Sequence, residues 1–246
     1  MIRVLQHHPG SVDSPELARF VPAQAAKYTP GVSSLPLPIV ELTDVSARVG
    51  VTTIVRDVHF VLRPGEVVGL FGSNGAGKTT LLRVLATLHR PAEGEGRVLG
   101  ADLSGPARFD VRGQIGLIGH VPSLYPELTL RENLEFVAQV IGQPPDEVDR
   151  ALSAVGLGGV TERAAAACSY GMQRRAEFAR EMMRSPRLLL LDEPHSALDA
   201  SALGVVEHLV RSVCERGGGA VLVSHDRERV ERLADRTVEL SGGSLR

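Results

Sequence analysis

The 246-residue chain has no tryptophan, two cysteines, two lysines and no long apolar run, and each shortage narrows what it can be. Cys168 and Cys214 cannot build a disulfide framework and point to a reducing, cytosolic compartment. No stretch approaches the roughly 18–20 apolar residues of a membrane span. Nor is there a basic segment followed by an apolar core at the N-terminus, so no secretory signal is evident. A formal net charge of −2 lacks the electrostatic footprint of a nucleic-acid binder. No segment repeats. If the protein works at a membrane, a separate partner has to supply the spanning part.

What is present begins with one of the two lysines. Residues 66–88 read EVVGLFGSNGAGKTTLLRVLATL, an apolar strand, a glycine-rich turn and then a helix with leucines at helical spacing. Gly72, Ser73, Asn74, Gly75, Ala76, Gly77, Lys78 and Thr79 fit the phosphate-binding loop G-x-x-x-x-G-K-[ST], in the strand-before, helix-after context that loop requires. Glycines let backbone N–H groups curl round phosphate oxygens with no Cβ in the way. Lys78 is expected to reach the β/γ-phosphates, Thr79 to offer its hydroxyl to Mg²⁺, and Thr80 to complete the loop. The chain uses 25 arginines and only two lysines, yet an ammonium stands where a compact point charge is needed. A phosphate loop alone does not separate kinases, small GTPases and motors.

That separation comes from residues 168–199, CSYGMQRRAEFAREMMRSPRLLLLDEPHSALD. Ser169, Tyr170, Gly171 and Met172 form a turn at a helix start, where a hydroxyl, a backbone N–H and the positive dipole end can face a phosphate. Arg174, Arg175, Arg180 and Arg184 read as a solvated or dimer-facing stripe on that helix. A four-leucine strand then ends in Asp192 and Glu193, setting one carboxylate near a metal ion and the other near a water. This run resembles the signature, Walker B and D-loop segments of ATP-binding-cassette (ABC) ATPases. The resemblance implies an ATP-driven engine working as a pair. Each site would join residues 72–80 of one subunit to Ser169–Met172 of another, in a homodimer or a heterodimer with a related chain. It implies that Asp192 holds Mg²⁺ and that Glu193 is the general base toward the attacking water. Ser196, Ala197, Leu198 and Asp199 resemble the D-loop, which reaches across to the partner subunit. His225, at the end of the apolar run Gly219–Val223, takes the place of a histidine that contacts the γ-phosphate.

Two positions depart from the family pattern. Counting back from Leu128-Thr129, His120 falls where the family places a glutamine that senses Mg²⁺ and γ-phosphate. Imidazole still accepts a hydrogen bond or ligates a metal, so His120 stays a candidate metal ligand. An aromatic ring on which adenine stacks is expected in the first hairpin, but that position falls on or near Val49. Tyr28, Tyr125 and Tyr170 lie elsewhere. Arg48 could stack through its guanidinium or lie solvated.

Residues 1–38 hold six of the 15 prolines and read as a flexible N-terminal extension. Residues 39–246 read as one α/β ABC cassette, a P-loop NTPase core with a mostly parallel sheet, an antiparallel β layer and a helical subdomain at roughly 121–184. Short strands are expected at Ile39–Val45 and Val58–Arg63, and one closing strand around Val238–Leu240. The resemblance implies a hydrolytic subunit on the cytoplasmic face of the cell membrane, powering an integral membrane permease, an exporter of the haem-exporter type or, as the Ser-Tyr-Gly-Met signature variant suggests, of the drug/lipid type. Gly119-His120, Leu124-Tyr125 and Glu132-Asn133-Leu134 are similar to the ATP-binding subunit of haem exporters in cytochrome c maturation. Two other readings stay open, a degenerate regulatory nucleotide-binding subunit and a soluble ABC ATPase acting on DNA or ribosomes.

Overall fold

The computed structural model describes Leu17, Phe20, residues 37–195 and residues 200–246. The proline-rich stretch and Ser196–Asp199 therefore lie outside the described residues, the former apart from Leu17, Phe20, Leu37 and Pro38. Two sheets organise the chain. The first is antiparallel, in the order β2-β1-β4-β5, from β1 (Val40–Val49), β2 (Thr52–Leu62), β4 (Glu93–Val98) and β5 (Ala101–Asp102). The second has the order β10-β9-β3-β8-β7-β6. Its members are β3 (Val67–Phe71), β6 (Ile115–Ile118), β7 (Leu188–Asp192), β8 (Gly219–Val223), β9 (Arg236–Ser241) and β10 (Ser244–Leu245). All of its pairings are parallel except the β9–β10 hairpin.

The leucine strand shows why this sheet is continuous in apolar residues. Leu188 and Leu190 face one core, with the antiparallel sheet and helix α1 (Lys78–Leu85). Leu189 and Leu191 face the other, with helices α2 (Leu130–Ile141), α3 (Asp146–Ala154), α4 (Tyr170–Arg184) and α5 (Ala200–Glu215). A parallel strand covered on both faces has no polar side to show. Val221 and Val223 of β8 divide from Ala220 and Leu222 in the same way. Helix α6 (Arg227–Leu233) follows β8 and is capped by Asp226, whose Oδ1 accepts from Arg229 N at 3.1 Å.

The first hairpin is longer than its alternation predicts. Asp44 and Asp57 take positive φ of 52° and 47°. The pairing register slips between Leu42 and Val45, and again on either side of Ala47. These irregularities break the inward–outward alternation that marks a strand in sequence, so β1 and β2 run on to a turn at Gly50-Val51. Two strands follow α6 where one was expected, because β10 folds back on β9 after Gly242-Gly243.

Helix α2 starts with a capping box: Thr129 Oγ1 accepts from Glu132 N at 3.0 Å, and Glu132 Oε2 accepts from Thr129 N at 2.8 Å. The buried Asn133 then ties the preceding loop to it, accepting from Tyr125 N at 2.7 Å and donating to the Tyr125, Leu128 and Thr129 carbonyls. Helices α2, α3 and α4 pack on one another, and α4 also packs on β6.

Candidate functional site

The phosphate-loop residues, Asp192, Glu193, His225 and His120 lie at the carboxyl ends of β3, β7, β8 and β6, the edge of a parallel sheet where ligands bind outside the strands. After β3 the chain turns through Gly72, Gly75 and Gly77, at φ of 149°, 80° and 105°. Gly75 has open space where a Cβ would stand, whereas a Cβ on Gly72 would lie 2.4 Å from the Leu240 carbonyl oxygen. The turn feeds α1, whose N-cap Gly77 supplies no side-chain cap. Its first-turn N–H groups are thus open to an anion. Lys78 is buried, and its Nζ donates to the Gly72 and Ser73 carbonyls at 2.6 and 3.0 Å. A single ammonium thereby closes the loop on itself.

From Lys78 the helix carries Thr79 to the end of β7, where its hydroxyl donates to Asp192 Oδ2 at 3.1 Å. These are hard oxygen donors from two different elements, the chemistry that Mg²⁺ takes in preference to nitrogen or sulfur. The residues present therefore fit Mg²⁺ with phosphate oxygens completing its shell.

Glu193, next to Asp192, adopts φ 53°, an uncommon conformation for a residue with a side chain. Its N–H donates to the Val223 carbonyl at 2.8 Å, extending the β7–β8 pairing by one residue. Its Oε2 accepts from Ser224 Oγ at 3.2 Å and from His225 N at 3.3 Å. Its Oε1 lies 3.3 Å from His225 Nε2, an ion-pair distance without hydrogen-bond alignment, and so has no hydrogen-bond partner. The site thus holds a mostly buried carboxylate, one of whose oxygens has no hydrogen bond, beside an exposed imidazole.

His120 follows β6 and is exposed. Its backbone is held from the signature turn, since Tyr170 Oη donates to the His120 carbonyl and Arg174 Nη1 to the Gly119 carbonyl. No cluster of three or more His, Cys, Asp or Glu side chains of metal-binding geometry occurs among the described residues. Val49 is 53 % exposed at the end of β1, and Arg48 is drawn to Glu93 at 2.6 Å rather than left free.

Ser169 caps α4, accepting from Met172 N at 3.2 Å. That bond uses an oxygen lone pair and leaves the hydroxyl proton free to donate. Among the described residues no hydrogen bond or ion pair joins the Ser169–Met172 turn to residues 72–80 of the same chain.

The arginine stripe is the main correction. Arg174 is fully buried, and Arg180 and Arg184 expose only 14 % and 19 % of their side chains. They alternate with the fully buried Glu177 and Glu181 at helical spacing. Arg184 reaches the Ile115 carbonyl of β6 at 3.0 Å, and Glu177 Oε1 accepts from both Ser123 N and Ser123 Oγ at 2.9 Å. The polar face of α4 is thus a paired ladder pressed against β6 and the loop after it. A helix face of alternating charges carries no sequence signal that tells water from such a partner.

Comparison with known proteins gives one consistent answer. Residues 55–196 match the ABC transporter family. The chain is 37 % identical over 195 residues to the cytochrome c biogenesis ATP-binding export protein CcmA 2 of Cupriavidus metallidurans, covering 77 % of this chain and 90 % of that protein. It is 35 % identical over 208 residues to the Nod factor export ATP-binding protein I of Rhizobium etli, covering 83 % of this chain and 66 % of that one. Among solved structures, an ATP-binding subunit of an ABC transporter superposes with a TM-score of 0.76 at 31 % identity, covering 84 % of this chain and 88 % of the other. A phosphate loop, a paired Thr–Asp and a Glu–His couple on a parallel-sheet edge, in a chain so related, make this protein a member of the ABC transporter family of ATPases.

Proposed function

We propose that this chain is the ATP-hydrolysing subunit of an export system whose membrane-spanning part is a separate permease. The observation that supports it most is the convergence of Thr79 on Asp192, with Glu193 and His225 on the adjoining strand ends. Two copies, or this chain and a related one, would face each other so that Ser169–Met172 of one meets residues 72–80 of the other. No helix among the described residues is long and apolar enough to cross a membrane, which fits a peripheral subunit at the cytoplasmic face. Residues 39–246 are read as one cassette with a helical subdomain at roughly 121–184.

In this reading Gly72–Thr80 cradle the phosphates and Lys78 turns from the loop carbonyls to a β/γ-phosphate oxygen. Thr79 and Asp192 are the side chains that would hold Mg²⁺, which when bound would neutralise negative charge on the phosphate oxygens. Glu193 Oε1 takes the proton of the attacking water, and His225 keeps the carboxylate and the terminal phosphate in register. The haem-exporter subtype rests on the Gly119-His120 segment and on the likeness to a cytochrome c biogenesis exporter.

Glu193→Gln tests the core of this: turnover should be lost while ATP binding is kept. Tagged Glu193→Gln protein, recovered from solubilised host membranes in ATP, should bring down a multi-span membrane protein, whose identity decides the subtype. Turnover in the mutant equal to that of wild type would remove Glu193 as the base. Recovery of soluble partners alone would favour a soluble ABC ATPase. The regulatory alternative draws on Val49 and His120, and predicts negligible turnover in wild type as well.

A further inference from the structure

Arg174, close to Glu193, is a charged group with no solvent exposure at all. Its two terminal nitrogens meet four acceptors. Nη1 donates to the Gly119 carbonyl and, at 3.1 Å, to Glu177 Oε2. Nη2 lies 3.1 Å from the Asp192 carbonyl and 3.4 Å from the Glu193 carbonyl. Three of the four are main-chain oxygens just beyond β6 or at the end of β7, the neighbouring strands that carry the candidate site. These four bonds offset much of the cost of burying a guanidinium, whose Nε alone has no hydrogen-bond partner.

What it holds is an unusual piece of backbone. Glu193 is in the left-handed region, where a residue with a side chain persists only if both sides of the turn are fixed. Its N–H is fixed by the Val223 carbonyl and its C=O by Arg174. That conformation sends the carboxylate onto Ser224 and His225 and leaves Oε1 without a hydrogen bond. Glu177, the counter-ion of Arg174, accepts from Ser123 N and Oγ in the loop after His120. Bonds therefore run without a gap from that loop through Glu177 and Arg174 to the backbone of Glu193.

We infer that Arg174 is a positioning residue for the hydrolytic base, locking Glu193 in its left-handed turn and tying that lock, through Glu177, to the loop at Gly119–Ser123. This rests on the reading of Glu193 as the base. The test is steady-state ATPase, ATP affinity and thermal unfolding of the full chain for wild type, Glu193→Gln, Arg174→Lys and the double variant Arg174→Met/Glu177→Met. Lysine keeps the charge but can serve only part of the acceptor set, so kcat should fall about 10–100-fold, the usual cost of a misplaced reacting group. KM and the ATP dissociation constant should stay within about threefold, because Arg174 touches none of residues 72–80. The double variant removes both buried charges together; it should recover wild-type unfolding temperature but not turnover. Glu177→Gln, which weakens the link to Ser123, should lower kcat several-fold at unchanged KM.

Turnover within twofold of wild type in Arg174→Lys, or full activity in the refolded double variant, would show that Arg174 merely balances Glu177. Wild-type kcat in Glu177→Gln would remove the tie to the loop. Should Glu193→Gln itself turn over normally, the base assignment fails first, and that outcome is distinct from failure of the Arg174 variants alone.

Discussion

Replacing Gly72 by alanine separates the shape of the phosphate loop from its chemistry. At φ 149° Gly72 occupies a region that residues with side chains rarely enter, which costs about 1–3 kcal/mol. The added methyl would lie 2.4 Å from the Leu240 carbonyl oxygen of β9. An ordinary C···O contact is about 3.3 Å, so backbone on one side has to move by nearly 1 Å, at about 1–3 kcal/mol. Restricting the unfolded chain returns about 0.4–1 kcal/mol, leaving a net loss of about 1–6 kcal/mol, with a central value of about 3. For a chain of this size the central value is a fall in Tm of about 6–12 °C. Gly75→Ala is the control: φ is 80° and no atom lies within 4 Å of its Cβ, so only about 1 kcal/mol and a few degrees are expected. Unfolding is followed by far-ultraviolet circular dichroism without nucleotide, since the chain has no tryptophan to report. A Gly75→Ala protein as destabilised as Gly72→Ala, or a Gly72→Ala protein melting like wild type, refutes the packing argument whatever either does to ATP binding.

Other measurements bear on other parts. With Val49 exposed and Arg48 held by Glu93, no ring is offered for base stacking from that hairpin end, so ATP should be preferred over GTP by less than about a hundredfold in competition. Burial pushes the Cys214 thiol up to about 12 and raises Cys168 as well. At pH 8 the thiolate fraction of Cys214 falls from about a quarter, unfolded, to about one in ten thousand, and native protein should resist alkylation that the unfolded chain accepts within minutes. Burial, then the Arg229 charge, holds the His195 imidazole below its ordinary 6.5. The unfolded chain takes up that proton first, so stability is complete above pH 6.5 and declines as pH falls through the depressed value. His195→Gln should reduce the acid-side slope of Tm against pH; an unchanged slope removes His195 from the account.

Much of the site was legible because its chemistry demands rare residues at fixed spacing. A lysine after a glycine-rich turn, and two carboxylates behind four leucines, have few structural excuses in a chain with so little lysine. The double-faced burial of β7 was equally visible, since a run of leucine with no polar alternation has to be covered on both sides. The first hairpin was read short for the opposite reason. Its register slips come from backbone turns at Asp44 and Asp57, and aspartate there looks in sequence like the end of a strand.

The arginines of α4 show a limit of a different kind. On a helix, charges three and four apart form a stripe whether that stripe meets water or another element. What decides is supply of partners. Glu177 and Glu181 fall between the arginines and neutralise them locally, and carbonyls at Ile115, Gly119, Asp192 and Glu193 take further N–H groups, with Arg174 Nε left without a hydrogen-bond partner. Those carbonyls belong to strand ends some 50 or more residues away from Arg174 in one direction and 18 or 19 in the other, so no window of sequence contains them all. The helix can bury its polar face because its partner is the irregular backbone that a strand end leaves behind, where main-chain oxygens have lost their ladder partners. A catalytic edge built from strand ends creates that need wherever it occurs, and in this chain the helix that carries Ser169 and Tyr170 at its start meets it one turn later with Arg174.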